Sequence, residues 1–176
     1  HPAGVHMVDS SPVMLAQVMN WVASHGQVAS HLSLALGDLN LSHSSWSMPW
    51  AATRVVIANA LYAVNRPTRT LAECARAAAP GARLVFTTPI GTPDPQAVLR
   101  EHLQAFAEAD RPGETSRIMR ELAPVLAANA EIIRRGGQMH FPESAEVLGW
   151  LDGTGWKIER HEVTYAGQNL IVSATR

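Results

Sequence analysis

The chain has 176 residues, 14 basic and 15 acidic side chains, a net charge of -1 and a pI near 6.8. That length suits one domain, and the balanced charge argues against a basic face for nucleic acid. Apolar residues at 47% and charged residues at 16% exclude a disordered or collagen-like chain and supply a buried core.

No run approaches the roughly 18 apolar residues of a membrane span, and the N-terminus lacks the basic-then-apolar order of a signal peptide, so a cytoplasmic protein with no membrane partner is expected. The single cysteine, Cys74, cannot form an internal disulfide, and no second thiol is present to build a metal site with it. No metal is expected. One lysine, Lys157, against thirteen arginines, with abundant alanine, points to a high-GC bacterial coding bias.

Short aliphatic runs alternate with longer helical stretches, which predicts an α/β sheet with helices on both faces. Val5 to Val8 is a strand that stops at Asp9-Ser10-Ser11. Ser11 caps a helix whose first residue is Pro12, since the missing proline N–H costs nothing there. Met14, Leu15, Val18, Met19 and Val22 recur at helical spacing until His25-Gly26. Leu32, Leu34 and Leu36 give a second strand that turns at Gly37-Asp38, and the polar stretch Asn40 to Pro49 is a loop. Val55 to Ala58 is a continuous apolar strand ending at Asn59. Asn65 is expected to cap the next helix, with Leu71, Cys74, Ala75 and Ala78 as its buried stripe and Pro80-Gly81 as its end.

Leu84, Val85 and Phe86 form the fourth strand, which finishes at Thr87, Thr88 and Pro89. From Asp94 to Arg135 the chain is predicted helical, with breaks at Arg111-Pro112-Gly113 and Pro124. A further helix covers about Ser144 to Leu151. Lys157 to Tyr165 and Asn169 to Ala174 are expected to be strands joined by Ala166-Gly167-Gln168, an antiparallel terminal hairpin.

Ligands of open parallel sheets bind beyond the carboxyl ends of the strands, so the polar residues there are the candidates. A carboxylate such as Asp9 can accept hydrogen bonds from both hydroxyls of a ribose; the same Asp9-Ser10-Ser11 stretch can equally serve only to cap a helix. Asp38 can accept from an exocyclic amine such as adenine N6, with Gly37 allowing close backbone approach, although Gly-Asp is also an ordinary turn.

The order of these segments resembles the class I S-adenosylmethionine-dependent methyltransferases. Gly4 to Leu15 is similar to that family's second strand, ribose-binding acid and following helix, and Leu36-Gly37-Asp38-Leu39 to its adenine-side motif. Val55 to Val64 is similar to the fourth strand and the segment at the methionine end of the cofactor. Leu71 to Phe86 resembles the helix, Pro-Gly turn and fifth strand, Gly155-Trp156-Lys157-Ile158 the step into the sixth strand, and the final hairpin the reversed seventh strand.

The resemblance implies a Rossmann-like sheet with a helical insertion at 94–135 after the family's fifth strand. It also implies S-adenosylmethionine as cofactor, bound by Asp9, Ser10, Met14, Gly37, Asp38, Leu39, Asn59 and Ala60. Two departures stand out. No first strand with a Gly-rich loop occurs in 1–176, so the single domain is expected to lack its central strand, whose absence would leave the second and fourth family strands with open inner edges. Gly153-Thr154-Gly155 and Gly136-Gly137 occupy the wrong contexts to replace it. Arg54 also stands where the family often has an acid.

Methyl transfer is an in-line displacement governed by positioning, and a general base is needed only for a protonated, weakly acidic acceptor. His43, His140 and Tyr62 are the weak candidates to face the acceptor; an exposed or core-satisfied histidine is the more ordinary reading of the first two, and Tyr62 can simply pack against the fourth strand. The apolar positions of 94–135 suit a lid over an apolar pocket, helices docked on the sheet, or a contact with a second copy of the chain in a homodimer. A small, partly hydrophobic methyl acceptor is expected rather than nucleic acid. Two other classes stay open: a non-catalytic or partner-completed methyltransferase-like protein, and an NAD-dependent oxidoreductase, which would also place an acid after its second strand.

Overall fold

The computed structural model describes residues 4–25, 32–41, 51–92, 94–108 and 141–176, with positions 117, 120, 121, 123, 124 and 127. The chain opens with β1 (Val5–Asp9), α1 (Pro12–His25) and β2 (Leu32–Leu36). Ser11 Oγ accepts the Met14 N–H at 3.3 Å, which satisfies one of the donors left free in the first turn of α1. β3 (Ala52–Ala58) leads through one 3-10 turn (Leu61–Ala63) to α2 (Pro67–Ala77) and β4 (Ala78–Pro89). α3 (Pro95–Glu108), α4 (Ser144–Gly149), β5 (Lys157–Thr164) and β6 (Asn169–Thr175) follow.

Both ends of α2 differ from the sequence expectation. The residue before its first turn is Arg66, which makes no side-chain cap, and Pro67 begins the helix. Asn65 is used elsewhere: its N–H donates to Asn40 Oδ1 at 2.7 Å. The helix ends at Ala77, short of Pro80-Gly81: Ala78 is already extended, at φ -86° and ψ 147°, and pairs with Ala52 of β3. Pro80 and Gly81, the latter at φ 74°, lie within β4, where the pairing with β3 changes register between Ala52 and Arg54. Of the expected 94–135 helical stretch, α3 falls in its first part, and most of the remainder lies outside the described residues.

The strands form two sheets. β1 and β2 run parallel, from Val5 opposite Leu32 to Asp9 opposite Leu36. The second sheet has the order β3-β4-β6-β5, with β3 and β4 parallel and the other two pairings antiparallel. Among the described strands, β1 and β3 therefore each keep one edge without a partner. These are the two strands that the resemblance sets on either side of an additional one.

Alternation along β4 defines the core. Ala82, Leu84, Phe86 and Thr88 are buried, while Arg83 and Val85 face the other way. Leu170, Val172 and Ala174 of β6 and Ile57 of β3 extend the buried face, which packs under Leu71, Cys74 and Ala75 of α2 and Val147 of α4. Trp156 closes this layer, its Nε1 donating to the Leu71 carbonyl at 2.9 Å. The opposite face is less covered than the expected double layer: Val56 is 75% exposed and Val85 38%. Strand alternation places both on the face away from α2, and no described element seals Val56.

β1–β2 is tied to this body by side chains and loop contacts. Val8 and Leu39 pack against the core cluster, and Thr70 Oγ1 donates to the Leu39 carbonyl at 3.3 Å. On α2, the buried Glu73 carboxylate is held by Arg69 at 2.9 Å and Arg76 at 3.5 Å.

Burial, reinforced by the neighbouring Glu73 charge, pushes the Cys74 thiol up from 9.0 to about 12. Because the folded thiol holds its proton above the unfolded value, its contribution to stability is complete below pH 9 and is lost as pH rises toward 12. A thiol-exchange reagent should therefore leave the native protein unmodified at neutral pH and react with one thiol per chain on unfolding. Replacing Trp156→Phe, which deletes the bond to Leu71, should lower unfolding stability in urea by about 1 kcal/mol.

Candidate functional site

At the carboxyl end of β1, Asp9 Oδ1 accepts the Ser11 N–H at 2.7 Å. This local bond turns the chain sharply into α1 and fixes the carboxylate at the strand end. Only Oδ1 takes a hydrogen bond among the described residues, so the second oxygen keeps acceptor capacity. The Asp9 carbonyl takes the Gly37 N–H at 3.0 Å, which extends the β1–β2 pairing by one step and brings the two acidic turns side by side. Gly37 is buried there.

Asp38 repeats the arrangement after β2: its Oδ1 accepts the Asn40 N–H at 2.8 Å and its carbonyl the Leu41 N–H at 3.0 Å. Ser10 is exposed between Asp9 and the Ser11 cap, and Met14, 47% exposed, lies one turn further along α1. Leu39 points into the core contact described above. A cleft of about 300 Å³ opens between Leu39 and Asn40 on one side and Val64, Asn65, Arg66 and Thr70 on the other. The Asn40–Asn65 bond bridges it, so the β2 turn and the segment after β3 are neighbours.

The second half of the site forms where β3 and β4 end. Asn59 adopts a left-handed backbone, φ 46°, which asparagine tolerates better than most residues. Its N–H donates to the Thr87 carbonyl at 3.0 Å and Thr87 Oγ1 at 3.1 Å. Its Oδ1 accepts from Asn169 Nδ2 at 3.0 Å. Ala60 is half-buried against the core and starts the 3-10 turn. Tyr62, on that turn, stacks on Phe141 with ring centroids 5.6 Å apart and planes 18° from parallel.

Residues 141–142 and 168–169 enter from the far end of the chain. The Pro142 carbonyl accepts the Gly91 N–H at 3.0 Å, and the Gln168 carbonyl accepts the Ile90 N–H at 3.0 Å. The Gln168 side chain grips the start of α3 through both ends of its amide, with Nε2 donating to the Asp94 carbonyl at 2.9 Å and Oε1 accepting the Asp94 N–H. Asp94 in turn caps α3 through Oδ1, at 2.9 Å from the Gln96 nitrogen and 3.1 Å from that of Ala97.

The structure thus brings Asp9 and Ser10 beside Gly37, Asp38 and Leu39, and groups Asn59, Ala60 and Tyr62 at the end of β3. His43 and His140 lie outside the described residues. Sequence reasoning missed Phe141, Gln168 and Asn169. A signal existed for the last two: an antiparallel final strand must begin beside the carboxyl end of the strand it pairs with, so the residues opening β6 belong at the ligand side of the sheet. Among the described residues, no group of three or more His, Cys, Asp or Glu could hold a metal ion. No described helix is long and apolar enough to cross a membrane.

No protein-family model and no curated protein matches the chain. Solved structures do. The 4+2 cyclase SpnF is 12% identical, with a TM-score of 0.62, over 99% of this chain and 66% of its own. The N-methyltransferase NodS from Bradyrhizobium japonicum WM9, in complex with S-adenosyl-L-homocysteine, is 13% identical, with a TM-score of 0.57, over 98% of this chain and 66% of its own. An O-methyltransferase family 2 protein from Planctomyces limnophilus, in complex with apigenin, is 18% identical, with a TM-score of 0.59, over 97% of this chain and 43% of its own. The chain therefore spans no more than about two-thirds of the length of these matches. The fold is that of the class I S-adenosylmethionine-dependent methyltransferases.

Replacing Gln168→Ala removes two hydrogen bonds from the Asp94 backbone. Amide exchange in the first turn of α3 should then accelerate about tenfold, with the exchange of β4 unchanged.

Proposed function

We propose that the chain forms the nucleoside-binding and acceptor-facing part of an S-adenosylmethionine-dependent methyltransferase acting on a small, partly hydrophobic molecule. The observation that carries this reading is the Asp9–Gly37 tie, which sets two carboxylates on adjacent turns at the carboxyl ends of two parallel strands. Asp9 spends one oxygen on its own turn and keeps the other for ribose hydroxyls. Asp38 likewise spends one oxygen on Asn40, which leaves an acceptor for the adenine amine beside the close backbone of Gly37. This donor-poor, acceptor-rich pair suits a nucleoside with free hydroxyls.

Asn59 and Ala60 are assigned to the methionine end, on the turn held by Thr87. When bound, S-adenosylmethionine supplies an electrophilic methyl group. The protein's own work is then to orient the acceptor in line with it and to keep water out. Tyr62 and Phe141 offer an aromatic wall for that acceptor. With a net charge of -1, the chain favours a small acceptor over nucleic acid.

A further strand between β1 and β3, running parallel to both, belongs to the same proposal. It is supported by the open edge that each of those strands keeps among the described residues.

Calorimetric titration with S-adenosylmethionine, S-adenosylhomocysteine and NAD tests the reading. Both sulfur compounds should bind and NAD should not, and Asp9→Ala should weaken S-adenosylhomocysteine about tenfold or more while the circular dichroism spectrum is retained. A folded sample that binds neither sulfur compound overturns the assignment.

A further inference from the structure

The contacts at the ends of β3 and β4 close into a ring. Asn169 bonds Asn59, whose turn carries Tyr62; Tyr62 stacks on Phe141; and Pro142 beside it bonds Gly91. Ile90 then bonds Gln168, the neighbour of Asn169. One atom on this ring is unsatisfied. Asn169 is 7% exposed, its Nδ2 is spent on Asn59, and its Oδ1 is buried without a hydrogen-bond partner among the described residues. A buried amide oxygen left unpaired destabilises the protein, so its retention needs a reason, and an incoming donor supplies one. The bond to Asn59 accounts for the amide nitrogen but leaves the oxygen without a structural role.

We propose that Asn169 is a binding residue for the acceptor: its side-chain oxygen takes a hydrogen bond from a hydroxyl or amine of an aromatic molecule that packs against Tyr62 and Phe141. This rests on the acceptor-facing reading of the site and narrows it to planar acceptors that carry a donor. Asn59 is the positioning residue, because its Oδ1 holds the Asn169 amide in the orientation that leaves the oxygen available. The donor site discriminates by the bond gained: a ligand with an O–H or N–H satisfies the buried oxygen, whereas one with the same ring but no donor leaves it unpaired.

Phenol and anisole share a ring and differ in the O–H, so they are the probes. Titrated into the 15N-labelled protein, phenol should shift the Asn169 side-chain amide signals and bind about fivefold or more tightly than anisole. Asn169→Leu should abolish that preference while keeping anisole affinity. Equal affinities in the unsubstituted protein, no shift of the Asn169 signals, or a preference that survives Asn169→Leu overturns the proposal; the first two comparisons need no variant and decide it even if the leucine protein fails to fold. S-adenosylhomocysteine binding, followed in the same samples, separates the two ideas. Loss of the phenol preference with that binding intact removes only the role of Asn169, whereas a phenol preference without that binding removes the cofactor assignment.

Discussion

Backbone pairing along both edges of β4 is the constraint from which the described structure follows. β4 is parallel to β3 on one side and antiparallel to β6 on the other, so its amides are satisfied throughout the buried stretch. That double pairing lets Ala82, Leu84, Phe86 and Thr88 be buried in succession on one face, and it positions the layer into which Leu71, Cys74 and Trp156 pack. It also fixes the site. A parallel neighbour brings its carboxyl end to the same place as that of β4, and an antiparallel neighbour brings its amino end there. Asn59 and Asn169 meet only because the two edges of β4 are paired in opposite senses.

The limits of sequence reading follow from the same physics. The βαβ unit at the start is legible because each signal is local: alternation in Leu32–Leu36, a capping Ser11 followed by Pro12, and an acid at the end of each strand. The end of α2 is not, since Pro80-Gly81 marks where a helix cannot continue but leaves open that it stops three residues earlier, where Ala78 pairs with Ala52 of β3. Half of the site was readable on the strand-end rule: Asp9, Gly37, Asp38, Asn59 and Tyr62 all stand where that rule puts them. The rest depends on long-range closure. Phe141 meets Tyr62 across 79 positions of chain and Asn169 meets Asn59 across 110, and no periodicity in either segment encodes those meetings.

Structural likeness adds a constraint of its own. A cyclase and methyltransferases are carried by the same arrangement of strands, so the frame sets where a ligand lies and the side chains at the strand ends decide what happens to it. In this chain those side chains divide by charge. The β1–β2 half offers the carboxylates of Asp9 and Asp38, while the ends of β3 and β6 offer the amides of Asn59 and Asn169 and the ring of Tyr62.

The position of β6 has a consequence for how the molecule is made. β6 is the last described strand in the chain, yet it lies between β4 and β5 rather than at an edge. During synthesis from the N-terminus, β4 must wait with one edge open while some eighty residues are added, and the core face of Leu84 and Phe86 stays half-built for that time. β6, which also pairs with β5 across the turn at 165–168, closes that edge. Until β6 arrives, that edge of β4 is open to misplaced strand pairing, through the same backbone groups that later secure it.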